Sequence, residues 1–351
     1  MPNDSHSARV AQDKKTTPTA PAGPEGQDAA WAIAVDVGGS KIAAALVSSS
    51  GCLRHQRREP TSASSEPQAV IHQICQMVDA IASAAAEETR EILGVGIGIA
   101  GMTDSERGIT LLASNLGWKN VPVRRLVADQ VEHPVFVDSD TNVAALGEQA
   151  FGAGRDSDNF LYVNIGTGIG ASMILDGRLY RGAGGVAGEF GHLALKPGGP
   201  QCGCGLRGCL EALASGRAIA RRATEAIADR RPTKIQELAE GKQEDVTAAL
   251  VGEAAQLGDP LALEILSDAG RYIGIGLAIC TDLLNPERIL LAGGVTGAKE
   301  LLLKPMRAAM AEHTLPRPLR TVTVVPSGLG DVGYLIGAAA LVFREERPQT
   351  T

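Results

Sequence analysis

Residues 32–47 read AIAVDVGGSKIAAALV and residues 160–175 read FLYVNIGTGIGASMIL. Each stretch is an apolar run ending at a polar residue (Asp36, Asn164), then a Gly-rich turn and a second apolar run. Short apolar runs bounded by glycines read as buried strands joined by a tight turn. The same supersecondary unit therefore occurs twice, and duplication predicts two related lobes facing each other, each offering backbone N–H groups to the space between. Such a pair can grip a polyphosphate from both sides.

The rest of the chain fits that frame. A helical pattern covers residues 68–90, a buried strand 94–100, a Pro-led strand 134–138 and a helix 141–151. Residues 182–208 form a loop dense in Gly and Pro, and Ala- and Leu-rich helices fill residues 211–284. Strands at 288–291 and 321–325 run into Gly293-Gly294 and into Ser327-Gly328-Leu329-Gly330-Asp331, strand-to-helix turns of the sort that receives nucleotides. Strands alternating with helices give an α/β fold. The expected organisation is an extension over residues 1–30, an amino-terminal lobe of 31–143 plus about 333–346, and a second lobe of 144–332.

Composition narrows the function. The chain has 351 residues, 44% hydrophobic and 21% charged, which is ordinary for a globular protein of two lobes. A net charge of -7 argues against a large nucleic-acid footprint. The first 30 residues, rich in Pro, Thr, Ser and Gly, read as a disordered extension without the apolar stretch of a secretory signal, and no apolar run reaches the roughly 20 residues of a membrane span. A cytoplasmic protein without a membrane or nucleic-acid partner is the expectation.

Residues 188–211 read GEFGHLALKPGGPQCGCGLRGCLE. His192, Cys202, Cys204 and Cys209 supply a Cys₃His set, which suits a closed, structural Zn²⁺ site, because no carboxylate is among the ligands. Folding this loop around a metal would fix Glu189 and Glu211, and a carboxylate can accept hydrogen bonds from two neighbouring hydroxyls of a ligand. Glu189 can equally form a surface pair and Glu211 a helix start. Asp140, between a strand and a helix, suits a general base for a hydroxyl, while Ser139, Asp140, Thr141 and Asn142 are all also good capping residues.

The segments DVGGSK (36–41), NIGTGIGA (164–171) and LAGGVTG (291–297), with the zinc loop, resemble the ROK family of sugar kinases over residues 31–343. The resemblance implies the duplicated ribonuclease-H-like fold of actin, hexokinase and the Hsp70 ATPase domain, with a central cleft. It implies ATP held by Asp36, Gly38, Gly39, Ser40, Lys41, Gly166, Thr167, Gly168, Gly293 and Gly294, with Mg²⁺ near Asp36. It further implies Asp140 as the base that activates the 6-hydroxyl of a glucose-like sugar, and a small-molecule sugar contacted by Glu189, His192 and Glu211. Asn115, in Ser114-Asn115-Leu116-Gly117-Trp118, would border the sugar pocket. A dimer or tetramer is expected.

One position departs from the pattern. The family's glucokinases carry Asn where this chain has Ser139, so the sugar expected is glucose or an analogue altered at C3, such as the 3-amino sugar kanosamine. N-acetylhexosamine or fructose kinases of the family are alternatives. So is a sugar-responsive regulator, which carries a winged helix ahead of the sugar-binding body; only about 30 Pro-rich residues precede Trp31 here.

Overall fold

The computed structural model describes residues 30–62, 66–88 and 91–345. The extension expected over residues 1–30 lies, Ala30 apart, outside the described residues, as does residue 346. Two compact bodies share the chain. One holds the described residues up to Asp158, then Ser172–Ala187, then those from Ser327 onward; the other holds Asn159–Ala171 and Gly188–Pro326.

The amino-terminal body begins with β1 (Trp31–Val37), β2 (Lys41–Ser48) and β3 (Leu53–Pro60), followed by helix α1 (Pro67–Glu87) and strand β4 (Ile92–Ile99). A small three-stranded sheet of β5 (Met102–Asp104), β6 (Ile109–Ala113) and β7 (Trp118–Val121) comes next, then α2 (Val123–Ala128), β8 (Val135–Ser139) and α3 (Asp140–Phe151). The main sheet has the order β3-β2-β1-β4-β8, with β1, β4 and β8 parallel and the first three strands antiparallel. Residues of β1 and β2 are buried along nearly their whole length, as a strand covered on both faces requires.

Among the described residues α1 is the one helix long and apolar enough to cross a membrane, which the sequence pattern had not suggested. Its buried residues, Val70, Ile71, Ile74, Met77, Val78 and Ile81 among them, belong to the same core cluster as β1 and β4. They recur at helical spacing on one side.

The second body is built on β9 (Phe160–Ile165) and β10 (Ile169–Leu175); the chain passes from one body to the other within β10 and continues into β11 (Arg178–Tyr180). After the cysteine loop come α4 (Leu210–Ala214), α5 (Gly216–Ala228), α6 (Lys234–Leu238), α7 (Ala248–Gln256) and α8 (Pro260–Leu284). Then follow β12 (Arg288–Ala292), α9 (Glu300–His313), α10 (Pro316–Thr321) and β13 (Thr323–Pro326). The strand order β11-β10-β9-β12-β13, with β9, β12 and β13 parallel, repeats that of the first sheet. Equivalence of the two sheets strand for strand is the duplication that the paired Gly-turn segments implied.

The final helix, α11 (Gly333–Glu345), returns to the amino-terminal body, where it packs on α3, β1 and β4. Glycine makes this approach possible. A Cβ at Gly96 of β4 would lie 1.9 Å from the Ala338 carbonyl oxygen, and one at Gly337 of α11 would lie 1.6 Å from that of Val143 in α3. Backbone thus meets backbone, and α3 belongs to the amino-terminal body because of this crossing.

Candidate active site

In the amino-terminal body the turn after β1 closes with the Gly38 N–H donating to the Lys41 carbonyl at 2.9 Å, and Thr61 holds the Gly38 carbonyl through its hydroxyl at 2.7 Å. The tip, Gly39 and Ser40, is exposed. Asn115 lies directly over Gly39, for a Cβ there would sit 2.6 Å from the Asn115 Cβ. The structure therefore brings together the expected phosphate turn and the residue expected beside the sugar.

Asp36, at the end of β1, and Asp140, at the start of α3, belong to one electrostatic group. Burial pushes the Asp140 carboxyl up to about 7, and the charge of Asp36 adds to the effect while backbone hydrogen bonds oppose it. Asp36 itself is pushed up to about 6, chiefly by burial, against the lowering pull of Lys41 and Arg58 and with Asp331 raising it. A carboxylate held this close to neutral pH is suited to take a proton from a hydroxyl and release it again. A divalent cation would suit the same group, since it favours the charged form of every carboxylate near it.

The cap of α3 is Ser139, whose Oγ accepts from the Asn142 N–H at 3.3 Å. Asp140 accepts from the Thr141 N–H at 2.7 Å with Oδ1. The side-chain cap thus falls to Ser139, the residue before the candidate base Asp140. Asp138, just upstream, is fully buried and accepts four hydrogen bonds, from the Ser139 N–H, Asn142 Nδ2 and, at its other oxygen, Arg181 Nε and Nη2.

Asp138 and Glu148 are given no role by the sequence reading. The buried Glu148 carboxylate accepts from the N–H groups of Ala153, Gly328 and Leu329 and from the Ser327 hydroxyl. The turn after β13, expected to receive a nucleotide, spends these donors on a carboxylate of the chain itself. A buried charge needs such partners, and the turn had them to give.

In the second body the turn after β9 is held from behind. Gly216 and Arg217, opening α5, donate their N–H groups to the carbonyls of Gly166 and Thr167 at 2.8 and 3.3 Å. Gly293, at φ 92°, lies against the end of β9: a Cβ there would be 2.4 Å from the Ile165 carbonyl oxygen. Gly294 faces open space. A 3-10 turn over Gly294–Ala298 then precedes α9, with the Thr296 hydroxyl donating to the Gly293 carbonyl at 2.7 Å.

Glu211 is bound to the same turn. Its Oε2 accepts from the Ile169 N–H at 2.9 Å, and Arg217 lies 3.9 Å from Oε1. Glu189 is raised above the usual carboxylate range by burial, with Glu211 pushing the same way and His192 opposing. His192 Nε2 faces the Glu189 carboxylate at 3.6 Å.

The other imidazole nitrogen, Nδ1, is 3.7 Å from Cys202 Sγ, and Cys204 Sγ is 3.8 Å from Cys209 Sγ. All four potential ligand atoms lie within 4.8 Å of one another. Tetrahedral zinc with Zn–S bonds of about 2.3 Å separates its sulfurs by about 3.8 Å, so the donor set fits that ion. Burial and the neighbouring thiols push Cys209 up to about 12, the direction a bound cation would reverse.

The expected site residues divide by body. Asp36, Gly38–Lys41, Asn115, Ser139 and Asp140 belong to the amino-terminal one, and Gly166–Gly168, Glu189, His192, the cysteines, Glu211, Gly293 and Gly294 to the other.

Comparison with known proteins shows the family. A family model described as "ROK family" matches residues 32–345. A glucokinase of Streptomyces coelicolor is 36% identical, over 90% of this chain and 98% of that protein. The crystal structure of a ROK family glucokinase from Streptomyces griseus, in complex with glucose and AMPPNP, is similar at 35% identity and a TM-score of 0.77, covering 90% of this chain and 99% of the other. A xylose repressor of Bacillus spizizenii is 27% identical over 90% of this chain and 77% of that longer protein.

Proposed function

The chain belongs to the ROK family and is a sugar kinase, and from that premise we propose that it transfers the terminal phosphoryl group of ATP to the 6-hydroxyl of a glucose-like hexose, with Asp140 as general base. The observation that supports this most is the position of Asp140 at the head of α3, its carboxyl held near 7 by burial and by Asp36. At neutral pH a substantial share is ionised and able to accept the hydroxyl proton as the bond to phosphorus forms.

The turns at Gly38–Lys41 and Gly166–Gly168, with Gly293 and Gly294, would hold the nucleotide through backbone N–H groups. Asp36 would hold Mg²⁺, which when bound neutralises charge on the transferring phosphoryl group. Glu189, His192 and Glu211 would orient the sugar. His192, Cys202, Cys204 and Cys209 would hold a structural Zn²⁺, whose part is to fix the loop that carries both glutamates.

Ser139 bears on the choice of sugar. It caps α3 with its one hydroxyl and has a shorter reach than Asn, so the donor and acceptor pattern near C3 of the sugar differs from a glucokinase's. We include kanosamine beside glucose as a substrate for this reason. The experiment is ADP release over a panel of hexoses including both, with Asp140→Asn as control. Turnover with a glucose-like hexose that drops about 10²–10⁴-fold in the variant is expected. Full activity of the variant would remove Asp140 as base, and faster turnover of glucose than kanosamine would remove the amino sugar. Sugar binding without sugar-dependent ADP would favour the regulator that the repressor likeness suggests.

A further inference from the structure

Two side chains from the segment Ser172–Ala187 converge on the turn that carries Asp140, and the chemistry proposed above uses neither. Ser172 Oγ donates to Asn142 Oδ1 at 2.6 Å. Arg181, just past β11, donates through Nε at 3.0 Å and Nη2 at 2.7 Å to Oδ2 of the fully buried Asp138. The other Asp138 oxygen accepts from the Ser139 N–H at 2.8 Å and from Asn142 Nδ2 at 2.7 Å. The residues flanking Asp140 are thereby tied to a single carboxylate, and the guanidinium of Arg181 is the cation paired with it.

We propose that Arg181 is a positioning residue for phosphoryl transfer: by clamping and neutralising Asp138 it fixes the Ser139–Asn142 turn and so aims the Asp140 carboxyl. The inference rests on Asp140 as the base. Without Arg181 the buried Asp138 charge has lost its ionic partner and two of its four hydrogen bonds, so the turn must shift or draw in water. A displacement of about 1 Å in a reacting group is enough to cost about 10²-fold in rate. Among the described residues, the hydrogen bonds of this network run between Asp138, Ser139, Asn142, Ser172 and Arg181 and not to the turns Gly38–Lys41, Gly166–Gly168 and Gly293–Gly294, so ATP affinity should be spared.

The fold also supplies a way to test the role directly. Arg181 lines a cavity of about 560 Å³ beside β8, together with Arg124, Pro134, Phe136 and Leu341. A small guanidinium compound can enter such a space and stand in for the missing side chain. Purified full-length Arg181→Ala and Arg181→Lys would be assayed for ADP release with glucose, with and without millimolar methylguanidinium, with Asp140→Asn in parallel and the folded fraction of each measured by thermal melting.

Arg181→Ala should lose about 10–100-fold in kcat at an unchanged KM for ATP, and methylguanidinium should restore a measurable part of that loss. Lys, with its charge but not its fork, should fall between the parent and Ala. A kcat within about twofold of the parent, or a loss that follows the folded fraction and ignores methylguanidinium, would overturn the proposal. Should Arg181→Ala not fold, Arg181→Lys decides alone: lowered kcat at parental KM for ATP supports the role, and parental kcat defeats it. An active Asp140→Asn would instead bring down the assignment of the base, whereas an inactive Asp140→Asn beside a fully active Arg181→Ala removes only the clamp.

Discussion

The two sheets have one strand order, yet the ends of their equivalent strands carry different chemistry. The first strand of the amino-terminal sheet, β1, ends at Asp36 and Val37; its counterpart β9 ends at Asn164 and Ile165. The last strand, β8, leads to Asp140; its counterpart β13 leads to Ser327 and Gly328, whose donors serve Glu148. One sheet therefore presents carboxyls with raised proton affinity, and the other presents an amide and backbone. Duplication has supplied the Gly-rich turn twice, while the strand-end carboxyls with raised proton affinity, Asp36 and Asp140, occur on one copy, and the other copy carries its Cys₃His set in a loop outside the sheet.

Making the copies alike should break that division of labour. Asp36→Asn gives the amino-terminal turn the side-chain type of Asn164, and kcat should drop about 10²-fold, with a steeper demand for Mg²⁺ in ADP-release assays. Cys209→Ser tests the other copy. If its loop is braced by zinc, the KM for glucose should rise about 10-fold or more and the melting temperature should fall by roughly 5–10 °C, with zinc content measured by elemental analysis falling in parallel. Unchanged sugar affinity in a zinc-depleted variant would separate the metal from the sugar site.

The smallest effect expected is on stability. A carboxyl at about 7 in the folded protein and 3.8 when unfolded binds its proton more tightly folded, so its stabilising contribution is full below about pH 4 and is lost as pH rises through 7. Asp140→Asn should therefore melt roughly 2–4 °C higher than the parent at pH 8, a gain that shrinks to nothing near pH 4. Equal differences at both pH values would mean that Asp140 is not held in its neutral form by the fold.

What could be read in the sequence was local. The duplicated strand–turn–strand units are continuous stretches, and His192, Cys202, Cys204 and Cys209 lie in one loop, so spacing alone pointed to their convergence. Asp138 with Arg181 is a pair 43 residues apart, and Glu148 meets Ser327 across 179. No periodicity announces such partners; a buried Asp or Glu at or within a helix looks the same in sequence whether it awaits a ligand or a distant partner of the chain itself. The same blindness assigned the Ser327 turn to a nucleotide. Its donors were legible, but the anion they hold, Glu148, comes from 179 residues upstream.

The return of α11 to the first sheet has a consequence for the order of assembly during synthesis. Gly96 of β4 and Val143 of α3 are covered by backbone that lies beyond residue 332. A ribosome that has released every strand of both sheets has still not released the helix that closes the first. The half of the molecule that is made first is thus the half that is finished last, and until then its apolar strands must wait in an incomplete state, open to chaperones or to one another.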